Sequence, residues 1–134
     1  MREARQFPRI NLKIKVAYEF VSWKENIIKE LNNPKYTTSL NISSRGVKIA
    51  NIPEIRTGIR KQLIKGKKKI KLAIYIYDDL PPVITFARLV WSDFDEKDKS
   101  SSKDIAAGLM FIDVSIEIFN EMEIFINKHL KGKK

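Results

Sequence analysis

The sequence predicts a mainly β fold, a small six-stranded antiparallel β-barrel with a C-terminal α-helix, and three observations lead to this prediction. The chain has 134 residues, which is enough for one hydrophobic core. Apolar and polar residues alternate in several short segments separated by turn-forming residues, as in strands with one buried face. Near residue 115 the apolar period changes from that of a strand to that of a helix. Many short strands and one helix are typical of a small barrel that a helix closes or flanks.

The first predicted strand covers residues 12–20. Its even positions are all apolar or aromatic and the residues between them are mostly polar; the even positions are Leu12, Ile14, Val16, Tyr18 and Phe20. Because successive side chains point to opposite faces of a strand, this alternation buries one face in a core. Residues 1–9 are polar and basic and contain a proline, so we assign residues 1–11 to an N-terminal arm.

The segment after the first strand predicts a short helix. Ser22 and Glu25 have the spacing of a capping box, in which each side chain satisfies a backbone N–H of the other residue. Apolar residues then follow at helical spacing; they are Trp23, Ile27, Ile28 and Leu31. Asn32-Asn33-Pro34 ends the segment, and we expect its apolar stripe to pack against the barrel. The alternatives are a hairpin extension and an exposed segment that binds a partner.

Five further strands complete the predicted barrel, at residues 36–42, 47–49, 70–76, 83–91 and 105–111. A turn over 43–46 joins the first two of them, and residues 53–69 predict a turn-rich connection. Residues 93–104 are acidic and rich in serine, which predicts a solvated hairpin loop. We assign four aromatic residues to the core: Phe20, Phe86, Trp91 and Phe111.

The C-terminal helix is predicted over residues 115–131. Ser115 is a good N-cap, and apolar residues follow at helical spacing; they are Ile118, Phe119, Met122, Phe125 and Ile126. The only histidine, His129, stands in the last turn, where we expect a surface position favoured by the helix dipole. The chain is therefore expected to form one domain over 1–134, with an arm (1–11), a barrel (12–113) and this helix.

The composition restricts the possible function classes. Lys and Arg number 26 against 16 Asp and Glu, so a net charge of +10 attracts the phosphates of nucleic acids, nucleotides or anionic lipids. The absence of cysteine excludes disulfides, thiolate catalysis and cysteine-type zinc sites. No signal peptide or bilayer-spanning apolar run is visible, so we expect a cytoplasmic protein. The chain shows no paired carboxylates, no nucleophile with a base and no P-loop, so we expect neither enzyme activity nor a cofactor.

Two short motifs contain the residues with the most specific chemistry. Arg5 and Arg9 form an RxxxR motif in the arm, and Asn41, Ser43 and Gly46 form an NxSxxG motif. Arginine provides a permanent charge, a fork of donors and a planar face, so it suits phosphates, the O6 and N7 atoms of guanine, and base planes. On an extended arm the two arginines lie at most about 14 Å apart and can hold different groups of one large ligand. The spacing of the second motif predicts an amide and a hydroxyl on one strand face, and its glycine predicts a positive φ and a close backbone approach.

In this order, followed by a strand-rich body and a helix, the two motifs resemble those of the PilZ domain family. Three further segments extend the resemblance over almost the whole chain: 46–49, 87–91 and 107–111. The resemblance implies a receptor for the bacterial second messenger cyclic di-GMP, with Arg5, Arg9, Asn41, Ser43 and Gly46 on the ligand-binding surface. It also implies an adaptor whose N-terminal arm changes conformation on ligand binding and so controls an unidentified partner protein.

The chain departs from the family pattern at two positions. Asn41 replaces the commoner Asp, and Ala4 precedes the first arginine where many members have a basic residue. Two other functions stay open. A small basic β-barrel could bind single-stranded nucleic acid through the lysines of 65–71, and aromatic residues interleaved with that run would favour this alternative. The other alternative is a PilZ-like interaction scaffold that binds no ligand, against which the intact arginines argue.

Overall fold

The computed structural model describes residues 8–94 and 103–131, and all structural statements below concern these residues. Its strands are β1 (Lys15–Ser22), β2 (Lys35–Ile42), β3 (Gly46–Ile49), β4 (Lys68–Ile74), β5 (Val83–Ser92) and β6 (Ala107–Ile112). Its helices are a 3-10 helix (Pro53–Thr57), α1 (Ile59–Ile64) and α2 (Ile116–Lys131). The strands pair antiparallel and close into a barrel in the order β1-β2-β3-β6-β5-β4. The predicted six-stranded antiparallel barrel with a C-terminal helix is therefore confirmed.

Alternate residues of the strands fill the interior of the barrel. Tyr18, Leu72 and Thr85 are buried and lie opposite one another on β1, β4 and β5. Most other members of the interior are aliphatic; they include Val16, Ile42, Val47, Ile49, Ile70, Ile74, Ala87 and Leu109. Burial of apolar area contributes about 25 cal/mol per Å² to folding, so these rows stabilise the closed sheet. β4 runs from Lys68 to Ile74, and its burial does not alternate, because Lys69, Lys71 and Ala73 are buried as well as Ile70, Leu72 and Ile74.

Two short helices, which were not predicted from the sequence, lie in the turn-rich connection between β3 and β4. Pro53 begins the 3-10 helix, and Gly58, with a φ of 95°, ends it and precedes α1. Ile52, Ile55 and Leu63 are buried in the main core. The proline and the glycine therefore bound two short helices, because the apolar residues around them have a core to pack against.

Tyr18 links the barrel interior to the 3-10 helix. Its hydroxyl donates a hydrogen bond of 2.7 Å to the Glu54 carboxylate. Burial raises the pKa of Tyr18 above its ordinary value, and the hydrogen bond and negative charge of Glu54 raise it further. The fold therefore holds this tyrosine in its protonated form.

The connection between β1 and β2, residues 23–34, forms no helix, so the predicted packed helix is wrong. The reason is that β1 continues through Ser22, which pairs with Lys68 of β4. The backbone N–H of Trp23 then donates to the Lys67 carbonyl at 3.1 Å and extends this pairing by one residue. A residue held in a sheet cannot begin a helix, so pairing with β4 overrides the capping signal.

The same connection is held at its other end by Glu19 of β1. The carboxylate of Glu19 accepts the backbone N–H groups of Asn32 and Asn33 at 3.3 and 2.8 Å. Between the two anchors the backbone is irregular, and Trp23 and Ile27 are 40% and 49% exposed. The expectation that the apolar stripe packs on the barrel is therefore wrong for Trp23 and Ile27, whereas Leu31 is half-buried.

Helix α2 begins within one residue of its predicted start and ends at the predicted residue. Ser115 Oγ accepts the N–H of Ile118 at 3.2 Å, which confirms the predicted N-cap. Three residues of its apolar stripe are buried: Met122, Phe125 and Ile126. His129 is half-buried rather than fully on the surface, because its ring packs on Phe125 with centroids 4.4 Å apart.

Candidate functional site

A backbone bridge joins the N-terminal motif to the second motif. Ile10 N–H donates to the Ile42 carbonyl at 2.9 Å, and Ile42 N–H donates to the Ile10 carbonyl at 3.0 Å. Arg9 is exposed and directly precedes Ile10, whereas Ile42 stands inside the NxSxxG motif. The structure therefore brings the Arg9 backbone beside the second motif. Arg5 lies outside the described residues.

A buried serine fixes the chain between this bridge and β1. Ser39 Oγ donates to the Leu12 carbonyl and accepts the Ile14 N–H at 3.0 Å. Ser39 N–H also donates to the Ile14 carbonyl at 2.9 Å. Because Ser39 is wholly buried, water cannot replace these bonds. Residues 10–14 are therefore tied to β2, and Arg9 stands just outside the tied segment.

The Ser43 hydroxyl organises the turn between β2 and β3. Ser43 lies just beyond the end of β2, and its Oγ accepts the backbone N–H groups of Arg45 and Gly46 at 3.1 and 3.2 Å. Its own N–H donates to the Gly46 carbonyl at 2.9 Å. A hydroxyl has two acceptor sites and one donor, so among the described residues these contacts do not use the O–H donor of Ser43, which is 8% exposed.

The motif glycine, Gly46, is required for close packing of two strands. Its φ is not positive, so that part of the sequence prediction is wrong. A Cβ atom built on Gly46 would lie 2.3 Å from the Leu109 carbonyl oxygen and 3.3 Å from Met110 Cα. Since both obstacles are backbone atoms of β6, the predicted close approach is confirmed. The turn that presents the motif is therefore held directly against β6.

A row of residues extends from the second motif across the outer face of the barrel. Asn41 lies opposite Lys48, Lys48 opposite Gly108, and Gly108 opposite Trp91. Directly opposed residues of antiparallel strands project on the same face, and three strand spacings separate the ends of the row by about 14 Å. The Lys48 ammonium lies 5.1 Å from the centroid of the Trp91 ring. An amide, a cation and an indole are thereby aligned on one surface.

Trp91 is 42% exposed, so its assignment to the core is wrong. The pairing of β5 with β6 shifts register between Leu89 and Trp91, which changes the face on which the tryptophan projects. Gly108 leaves space for the ring, because a Cβ atom there would lie 2.3 Å from Trp91 Nε1. The indole therefore covers the glycine of β6 instead of entering the barrel.

A second row of opposed residues lies on the same outer face, displaced from the first by two residues along β3 and β6. Gly46 is opposite Met110, and Met110 is opposite Arg88. Arg88 is exposed, and its Nη2 lies 3.5 Å from the sulfur of Met110. Lys48 on β3 and Arg88 on β5, which β6 separates, therefore place two cations on the outer face that begins at the second motif. Such cations attract phosphates, and an exposed indole offers a plane for a base.

Sequence reasoning identified the motif residues but missed Lys48, Arg88 and the exposure of Trp91. The two cations had a signal, because each is a polar position between apolar neighbours on a predicted strand. The position of Trp91 had a weaker signal, because its ring needs the glycine at position 108 and that pairing depends on strand register.

No protein-family model matches the sequence, and no curated protein matches it. Among solved structures, that of the Bacillus subtilis inhibitor of motility (MotI/DgrA) is similar, with a TM-score of 0.66 at 14% sequence identity. The similarity covers 99% of this chain and 54% of that one, so this chain spans about half the length of the inhibitor. The chain therefore shares its fold with a large part of the Bacillus subtilis inhibitor of motility.

Proposed function

We propose that this chain is a PilZ-type receptor for cyclic di-GMP that acts as a ligand-dependent adaptor. The observation that supports this most directly is the pair of backbone hydrogen bonds between Ile10 and Ile42. They place the end of the RxxxR motif beside the NxSxxG motif, although about thirty residues of sequence separate the two. The fold shared with the inhibitor of motility agrees with this proposal.

The proposed site divides the ligand between the two motifs. Arg5 and Arg9 would bind phosphates and the O6 and N7 edge of guanine through their donor forks. Asn41 offers both a donor and an acceptor to a base, and the O–H of Ser43 suits a phosphate or carbonyl oxygen. Gly46 contributes by holding the turn against β6. Lys48, Arg88 and the Trp91 indole on the same outer face would add attraction for charge and for base planes.

The proposed adaptor mechanism starts from the attachment of residues 10–14 to β2. Residues 10–14 are tied to β2 through Ser39 and the Ile42 bridge, so ligand contacts with the arginines would act on the chain before residue 10. Ordering that arm over the site would create a new surface for a partner protein, with the ligand's differential contacts setting the balance between two states. The structural neighbour is an inhibitor of motility, which agrees with a regulatory role of this kind.

Isothermal titration of the whole chain with cyclic di-GMP tests the proposal and gives affinity and stoichiometry together. We expect Arg9→Ala to weaken binding roughly 5- to 150-fold, since each bidentate guanine contact contributes about 1–3 kcal/mol of discrimination. Folding stability should change little, because Arg9 is exposed. The matched control is Arg60→Ala on α1, which removes the same charge elsewhere and should leave binding unchanged.

Two results would overturn the proposal. Equal affinity for linear guanine mononucleotides or generic single-stranded DNA at physiological salt would show that the basic surface binds phosphate without selection. No measurable binding by a folded wild-type chain would favour the scaffold that binds no ligand. If Arg9→Ala and Arg60→Ala weaken selective binding equally, the loss of affinity is due to net charge rather than to a contact of Arg9.

A further inference from the structure

The connection between β1 and β2 exposes three large apolar side chains, which we name the apolar tip: Trp23, Ile27 and Ile28. They are 40%, 49% and 44% exposed, respectively. Both ends of the connection are anchored, at Ser22 by pairing with β4 and at Asn32 and Asn33 by the Glu19 carboxylate. An anchored segment that leaves a tryptophan and two adjacent isoleucines in water indicates an interaction surface.

The basic run of the sequence lies against this tip. We name Lys65, Lys67, Lys68 and Lys69 the lysine run. Trp23 N–H donates to the Lys67 carbonyl at 3.1 Å, and the Lys69 ammonium lies 5.8 Å from the Trp23 ring centroid. The tip segment itself balances two lysines with two glutamates over residues 23–30, so the excess positive charge comes from the run.

We propose that the apolar tip and the lysine run together dock this chain on an anionic phospholipid bilayer. Tryptophan favours the membrane interface, because its ring is apolar and its N–H group is polar, which suits the level of the lipid head groups. Isoleucine pairs suit acyl chains, whereas they cannot stack on bases, so the tip fits lipid better than single-stranded nucleic acid. Lys65 and Lys67 are exposed beside the tip and attract anionic head groups, whereas Lys69 is buried against the Trp23 side of the run.

The docking is peripheral. No helix within the described ranges is long and apolar enough to cross a bilayer. Two signals, a small apolar insertion and a cluster of basic residues, are the combination that gives stable yet reversible attachment to a membrane surface. The tip uses none of the RxxxR or NxSxxG residues, so this inference is independent of the proposed nucleotide site.

The test measures binding of the whole chain to vesicles without cyclic di-GMP, using Trp91→Phe so that Trp23 is the sole tryptophan. Vesicles of equal phosphatidylglycerol and phosphatidylcholine are compared with pure phosphatidylcholine at about 150 mM salt. We expect co-sedimentation with the anionic vesicles alone, together with a blue shift of the Trp23 emission. If the protein sediments with the vesicles but its Trp23 emission is not blue-shifted, insertion of the tip is refuted.

Two sets of variants separate the apolar and the charged contributions. Ile27→Ser with Ile28→Ser should weaken vesicle binding at least about tenfold, because apolar area then stays in water. Lys65→Gln and Lys67→Gln should each weaken it roughly fivefold. The matched controls are Ile124→Ser and Lys128→Gln on α2; Ile124 is 56% exposed, and neither change should affect binding.

Three outcomes would overturn the proposal. The first is absence of vesicle binding, and the second is equal loss with the control variants on α2. The third is tighter binding of a single-stranded oligonucleotide that shifts the Trp23 emission, which would assign the surface to nucleic acid instead. None of these outcomes bears on cyclic di-GMP binding, which is measured separately by titration.

Discussion

Replacement of Gly46 by alanine should destabilise the fold more than replacement of any exposed glycine. The added Cβ would lie 2.3 Å from the Leu109 carbonyl oxygen, a separation that real Cβ atoms do not show. Because the obstacle is backbone of β6, β3 has to move away by about 1 Å, which lengthens its hydrogen bonds to that strand. Overpacking of this kind costs about 1–3 kcal/mol, and we expect the upper end, about 3 kcal/mol. A domain of ordinary stability, about 5–15 kcal/mol, would survive this loss.

The matched control is Gly108→Ala, where the obstacle is the Trp91 indole at 2.3 Å instead of backbone. That ring is half-exposed and can swing into solvent, so we expect a cost of about 1 kcal/mol and a red-shifted tryptophan emission. Urea unfolding of both variants gives the comparison, and Gly46→Ala should lower the midpoint by roughly 1–2 M more than the control. Equal midpoints would refute the assignment of Gly46 to strand packing, and a lost ligand affinity at unchanged stability would make it a ligand-contact residue.

Three further substitutions each remove a side-chain hydroxyl that makes a hydrogen bond in the structure. Tyr18→Phe should lose about 1.5–3 kcal/mol of stability from the bond to Glu54. Since the fold raises the pKa of Tyr18, the stability that this bond contributes is full below about pH 10 and is lost as the pH rises from there through the raised pKa of the folded state. A variant whose stability declines in alkali as steeply as that of the wild type would contradict this. Ser39→Ala leaves the Ile14 N–H without its side-chain acceptor, so unfolding should cost about 1–3 kcal/mol less and amide exchange over residues 10–14 should quicken. Ser43→Ala should both loosen the turn, by about 1 kcal/mol, and weaken cyclic di-GMP binding; unchanged affinity would remove its hydroxyl from the site.

The strands were predictable where one face is buried in the barrel. The alternation of Ile70, Leu72 and Ile74 with other residues matches the interior of β4, and the helical stripe ending at Ile126 matches the buried face of α2. These patterns are local, since the period of apolar residues records which face is buried. Strand ends were less predictable. The apolar alternation of β1 starts at residue 12, but the strand begins only at Lys15, where its pairing with neighbouring strands begins.

The errors arise where a distant partner decides the local structure. Ser22 has the signal of an N-cap, but pairing with Lys68 keeps it in a strand. Gly46 has the signal of a turn glycine, but the residue that requires it is Leu109 on another strand. The motif residues could be proposed as a site from sequence order and chemistry. That the bridge between Ile10 and Ile42 brings Arg9 beside them could be seen only in the folded structure.

The closure of the barrel limits how any partner protein can recognise this chain. Within the described residues each of the six strands pairs with a neighbour on both sides along part of its length, so no strand has a wholly unpaired edge. The barrel therefore offers little room for the addition of a long foreign strand, which is also a common route of edge-to-edge aggregation. Most of the surface that a partner can recognise consists of side chains on the outer faces and on the helix. The specificity of a partner would then depend on surface shape and charge, both of which the proposed nucleotide ligand would change without altering the strands.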